Sequence, residues 1–177
     1  MNRIGPTVTE PVVGSEIYPY SQGASYHDAY RMLTPANNDS MLKLAMQVLG
    51  STPPWINFLM LARNKIVKQL GLKDLGGMSD VRRDKAIEDY RVGDRVGIFT
   101  LLYLAENEVI LGDADTHLEV RVSVYRQSVE RGCALTVATV VHNRNWLGRL
   151  YMVFVKPAHR VIVRVLLRRY LQIIAAM

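Results

Sequence analysis

The stretch His117–Tyr125 constrains this chain more than any other. Leu118, Val120, Val122 and Val124 alternate there with His117, Glu119, Arg121, Ser123 and Tyr125, the period-two pattern of a strand with one buried and one polar face. Ala134–His142 follows without proline and with many β-branched residues, which favours a second strand. Pairing Tyr125 with Ala134 sets Leu118, Val120, Val122 and Val124 opposite Val141, Thr139, Val137 and Leu135. It sets Arg121 opposite Ala138 and His117 opposite His142. One face of this hairpin is then apolar and the other mixed, and a one-residue slip destroys the match. The apolar face has to be covered by another layer of the fold.

The flanking segments supply that layer. Ser25–Leu33 predicts a first strand with Tyr26, Tyr30 and Met32 on one face, broken by Thr34-Pro35-Ala36-Asn37-Asn38. Asp39 or Ser40 caps a helix carrying Met41, Leu42, Leu44, Ala45, Val48 and Leu49, with Gly50 as its stop. Thr52-Pro53-Pro54 opens a second helix, whose apolar face runs Trp55, Phe58, Leu59, Ala62, Ile66, Val67 and Leu70 to a stop at Gly71. Residues 72–96 are polar, with a short charged helix expected over Val81–Tyr90. Gly97–Leu104 and Glu108–Gly112 read as strands joined across Glu106-Asn107, and Cys133, after Gly132, falls in the hairpin loop.

From Trp146 to Ala175 the period becomes helical, with apolar residues at Leu147, Leu150, Tyr151, Phe154, Ala158, Val161, Ile162, Val165, Leu166 and Tyr170. Pro157 should kink or divide this helix. Its length of about 45 Å exceeds the roughly 30 Å of strands of eight or nine residues, so part of it is expected to overhang the sheet, turn a corner or meet a partner. Strand, two short helices, antiparallel meander and long C-terminal helix make an α+β chain. Residues 1–24 hold three prolines and three glycines and are expected to form an extended arm before a single domain over 25–177.

Composition narrows the function. A single cysteine, Cys133, excludes an internal disulfide, and nothing near it in sequence activates it as a nucleophile. No stretch near the N-terminus is apolar enough for a secretory signal. Arg164, Arg168 and Arg169 interrupt the last apolar run, so no spanning helix is expected and a cytoplasmic setting is. Eight of the 22 basic residues, and none of the 16 acidic ones, lie from Arg131 onward. Lys156, Arg160, Arg164 and Arg168, spaced by four, form a stripe on one helix face. A plain solvated face, or a brace against Glu106, Glu108, Asp113 or Asp115, is the expected role, and a membrane surface is not expected. Without a nucleic-acid motif or aromatics interleaved with the arginines, no nucleic-acid partner is expected either.

Several runs then match a known pattern: Val92-Gly93-Asp94-Arg95-Val96-Gly97-Ile98-Phe99, Val109-Ile110-Leu111-Gly112, His117–Val124, His142-Asn143, Leu147-Gly148-Arg149-Leu150-Tyr151, and Lys156-Pro157-Ala158-His159-Arg160. Across residues 25–170 the chain resembles an uncharacterised bacterial domain-of-unknown-function family (DUF2867) of the START-like, or SRPBCC (Bet v 1-like), superfamily. The resemblance implies a helix-grip fold, a curved antiparallel sheet wrapped around the long C-terminal helix, with an apolar cavity between them. It implies no activity. Some relatives are fused to a short-chain-dehydrogenase-like domain, which points to an oxidoreductase-type partner, but this chain carries no GxGxxG fingerprint. About five strands are evident where the superfamily has more, and residues 8–20 and 86–96 are where the others are expected.

Three functional readings follow. In the leading one a small hydrophobic molecule occupies a cavity lined by Trp55, Phe58, Phe99, Leu101, Tyr103, Val120, Val122, Tyr151 and Phe154, since such pockets are mostly apolar with a few polar groups that fix orientation. No cofactor, metal or established catalysis is expected with it. In the second, His117, Glu119, Arg121 and His142 serve a cyclase- or hydrolase-like enzyme, as two imidazoles and a carboxylate suit acid–base work. His159, beside Pro157, is the only other histidine that would join a site, and His27 reads as structural. In the third, the basic C-terminal helix docks on a protein or membrane, and an exposed apolar strip beside the arginines would favour it. The polar strand face is also a candidate homodimer surface.

Overall fold

The computed structural model describes residues 5–59, 85–130 and 132–176. Seven strands, β1 (Thr7–Thr9), β2 (Tyr26–Thr34), β3 (Arg95–Val96), β4 (Phe99–Leu104), β5 (Glu108–Ala114), β6 (Leu118–Val129) and β7 (Gly132–Asn143), form one sheet in the order β1-β2-β7-β6-β5-β4-β3. Every neighbouring pair is antiparallel. Helices α1 (Tyr18–Ser21), α2 (Met41–Gly50) and α3 (Trp146–Ile174) complete it, with a helical stretch over 54–59 and a 3₁₀ turn at Ile87–Asp89. The expected second helix beyond residue 59 lies outside the described residues.

The β6–β7 hairpin is longer than its alternation suggests. Tyr125 pairs with Thr136, Val122 with Thr139 and Glu119 with His142, two residues from the expected register. A shift of two preserves which side chains share a face, so the apolar-face assignment holds while the cross-strand partners change. Cys133 is consequently not in the loop but buried in β7, opposite Ser128. The two strands not evident in the alternation are the short edges β1 and β3. Because β6 and β7 have twelve residues each, they span about 40 Å. That nearly matches α3 at about 43 Å, and the expected overhang is not required.

The main core lies between one sheet face and two helices. The sheet contributes Tyr30, Met32, Leu101, Leu111, Val124 and Leu135, α2 contributes Met41, Leu42 and Leu44, and α3 contributes Val163, Leu167 and Tyr170. Ser40 caps α2, its hydroxyl accepting from the Lys43 N–H. Asn145 does the same for α3, accepting from Gly148. The α3 helix runs unbroken through Pro157. Its buried residues are Gly148, Met152, Val163, Leu166, Leu167 and Tyr170, a stripe rotated away from the expected one. Leu150, Phe154 and Val161, expected inside, are exposed.

The N-terminal arm is not wholly extended. After β1 it turns and crosses the other sheet face, where Ile17 packs on Ala29, Ile110, Ala138 and Val140. The buried Glu108 carboxylate anchors it, accepting from the backbone N–H groups of Glu16 (2.6 Å) and Ile17 (3.2 Å) and from the Ser123 hydroxyl (2.6 Å). Three donors make that burial tolerable.

At Gly148 the first turn of α3 lies close against the backbone just before β6, since a Cβ there would collide with the His117 carbonyl oxygen. In an open helix, glycine to alanine gains up to about 1 kcal/mol. Gly148→Ala should instead destabilise the domain by about 1–3 kcal/mol, the range for overpacking, read as a lower urea midpoint. A raised midpoint would contradict the packing.

Candidate functional site

The strand register brings residues far apart in sequence into rows. Leu111, Val122, Thr139 and Asp28 lie side by side across β5, β6, β7 and β2, and Val120, Val141 and Tyr26 form the next row. Asp28 ends its row in a polar cluster. The Tyr26 hydroxyl donates to Oδ2 at 2.6 Å. His159, midway along the sheet-facing side of α3, brings Nε2 to 3.4 Å from Asp28 Oδ1 and 3.2 Å from Thr139 Oγ1. Its ring meets Tyr26 edge-on, centroids 6.1 Å apart. Asp28 Oδ1 is buried, and its closest partner is His159 Nε2 in a long 3.4 Å contact rather than a well-formed hydrogen bond. Outside this cluster stand cations: Lys156 and Arg160 over the Tyr26 ring at 5.3 and 5.9 Å, and Arg164 over Tyr30 at 5.7 Å.

Burial by itself would raise the Asp28 carboxyl, but hydrogen bonding and positive charge from His159, with the Tyr26 and Thr139 hydroxyls, outweigh it and hold Asp28 below its ordinary value. Burial, then the bond to Asp28, pushes the Tyr26 phenol up. The result is an ionised acid with spare acceptor capacity beside an imidazole and two hydroxyls. Such a group can accept from a hydrogen-bond donor.

Beside the cluster is an apolar floor. Leu118, Val120 and Val122 point to the helix side of the sheet yet are only half-buried, although β6 is the central strand. Tyr151 and Val155 of α3, also half-buried, pack with Leu118 and Val120 around Tyr26, Val141 and Met152.

Of the residues expected to line a cavity, Val120, Val122 and Tyr151 meet here. Phe99 and Leu101 are deep in the main core. Tyr103 is on the opposite face with Ile17 and Ile110, because the bulge between Leu101 and Tyr103 reverses the alternation. Trp55, Phe58 and Phe154 are exposed at 45%, 70% and 72%.

The polar strand face is engaged by the arm. The Arg121 guanidinium bonds Glu119 and lies 3.7 Å from the Tyr20 ring centroid. Bonds from Arg121 and then Arg144 hold Glu119 below its usual range against the effect of burial. His142 Nε2 donates to the Tyr20 carbonyl at 2.8 Å, and His117 Nδ1 accepts from Asn145. Glu119 sits opposite His142, and His117 lies outside the paired strand. A groove of about 400 Å³ adjoins this face, lined by Arg95, Arg121 and Arg144 with Asp113 and Glu119. Among the described residues no three His, Cys, Asp or Glu side chains form a metal-holding group.

A family model described as "Protein of unknown function (DUF2867)" matches residues 20–166. The chain belongs to this family. No curated protein matches it. The matched region contains the whole Tyr26–Asp28–Thr139–His159 cluster. Sequence reasoning put only His159 in reach of a site. Asp28 had a visible signal, since it shares parity with Tyr26, Tyr30 and Met32 and is thus a charge on the buried side of its strand.

A carboxyl whose folded value lies below its unfolded one, ordinarily about 3.9, stabilises the fold above that pH. The contribution is lost as pH falls through the folded value. Urea midpoints of wild type and Asp28→Asn should therefore differ near neutrality and converge below pH of about 4. A gap that stays constant into acid would show that the ionised Asp28 is not the stabilising form.

Proposed function

We propose that this domain binds a small, largely apolar molecule bearing a hydroxyl or similar donor, on the floor formed by Leu118, Val120 and Val122 and against the Asp28–His159 cluster. The observation that carries this reading is a buried carboxylate oxygen, Asp28 Oδ1, engaged only by a long 3.4 Å contact to His159, one residue along the row from a half-open apolar strand. An unmade bond to a buried acceptor is costly, and a ligand donor would relieve it. Apolar walls with one or two orienting polar groups are the usual composition of a small-molecule site. The same reading takes the fold as a helix-grip, START-like one, in which α3 closes over the sheet, and the setting as cytoplasmic. Antiparallel strand order, a long terminal helix and a single buried cysteine agree with both.

Catalysis through His117, Glu119, Arg121 and His142 is the weaker reading. Glu119, Arg121 and His142 make contacts that hold the strand face and arm together, and a catalytic role would have to break them.

A neutral solvatochromic dye should bind the native protein, with blue-shifted emission. Val122→Phe should fill the floor and weaken binding about tenfold, equivalent to 1.4 kcal/mol, with an unchanged circular dichroism spectrum. Unchanged dye affinity in that folded variant would remove the floor as the site.

A further inference from the structure

The outer side of α3 has no counterpart in the cluster beneath it. Trp146, Leu150, Val153, Phe154 and Val161 are exposed at 71%, 46%, 64%, 72% and 55%. At 3.6 residues per turn they fall within an arc of about 100°, on the side away from the sheet-facing stripe. A run of exposed large apolar side chains along one helix face is the kind of surface that contacts proteins or membranes. Arg149 and Arg160 flank the strip, and Arg164 and Arg168 continue it toward the C-terminus, all four exposed. None of these four makes an ion pair with a carboxylate among the described residues. Three of the four acids expected to brace them are engaged elsewhere: Glu108 holds the arm, Asp113 pairs with Arg95, and Asp115 accepts from the N–H groups of His117 and Leu118.

We infer that this helix face docks on an anionic lipid surface. Charge chooses the occupant. A second copy of the chain meeting the same face would bring two arginine stripes together without a carboxylate on either helix, because none occurs after Glu130. An anionic bilayer neutralises the stripe and accepts the aromatic and aliphatic strip in its interfacial layer, where tryptophan and arginine are favoured. The helix would lie along the surface. No helix among the described residues is long and apolar enough to cross a membrane.

The test is vesicle binding by the full chain. Trp55→Phe leaves Trp146 as the sole tryptophan reporter. Addition of vesicles containing phosphatidylglycerol at low salt should shift Trp146 emission to the blue, and pure phosphatidylcholine vesicles should not. Leu150→Gln with Phe154→Gln, both at exposed positions, should abolish sedimentation with the vesicles at an unchanged melting temperature. Arg149→Gln with Arg168→Gln should weaken binding by about fivefold per charge. The inference is overturned if anionic vesicles leave Trp146 unchanged, if the Leu150/Phe154 variant sediments like wild type, or if the strip proves to be buried in a homodimer.

Discussion

The contact between α3 and the sheet is what the rest of this structure depends on. A helix of about 43 Å lies on the same face as the β6–β7 hairpin, and its sheet-facing side is largely apolar, with His159 the polar side chain that reaches the sheet's own polar groups. A polar side chain there needs a partner within the sheet. Asp28 and Thr139, adjacent across β2 and β7, supply it. The stretch where helix–sheet packing turns polar is therefore also where the site's chemistry gathers. Gly148 allows the approach at the start of the helix, and Val163, Leu167 and Tyr170 fix its far half in the main core.

The two sheet faces do different work. On the helix side the packing thins toward Val120 and Val122, leaving apolar surface half-covered. On the other side the arm is tied down by Glu108, by the stacking of Arg121 on Tyr20, and by the bond from His142 to the Tyr20 carbonyl. The ionisable residues that look most like catalysts in the sequence thus close the structure. An acid in β2, without such an appearance, is left with an oxygen that only His159 engages, and loosely.

Much of the fold was legible because local patterns carried it. The alternation over β6 and β7 was enough to assign faces. It was not enough for register, because a shift of two residues costs nothing in face pattern, and only tertiary pairing selects Tyr125 opposite Thr136. Ser40 as a cap and Gly50 as a stop were readable from local chemistry. The edge strands β1 and β3, of three and two residues, are too short for a periodic signal. The burial of α3 was misjudged because its first turns are apolar nearly all round, and only the docked sheet chooses between stripes. Tyr103 was lost to a bulge that has no sequence mark. The polar cluster brings Asp28 to Thr139 and His159, both more than a hundred residues further along the chain, a juxtaposition that requires the topology.

The central claim is that the valine floor and the Asp28–His159 cluster form one ligand site. Methyl NMR of the full chain, titrated with a medium-chain alcohol such as decanol, tests this most directly. The account predicts saturable shifts at the methyls of Leu118, Val120 and Val122 with a concurrent shift of the His159 ring, while Val124 and Val163 in the core stay fixed. Shifts confined to Leu150, Val153 and Val161 on the outer face of α3, or no shifts at all, would contradict it.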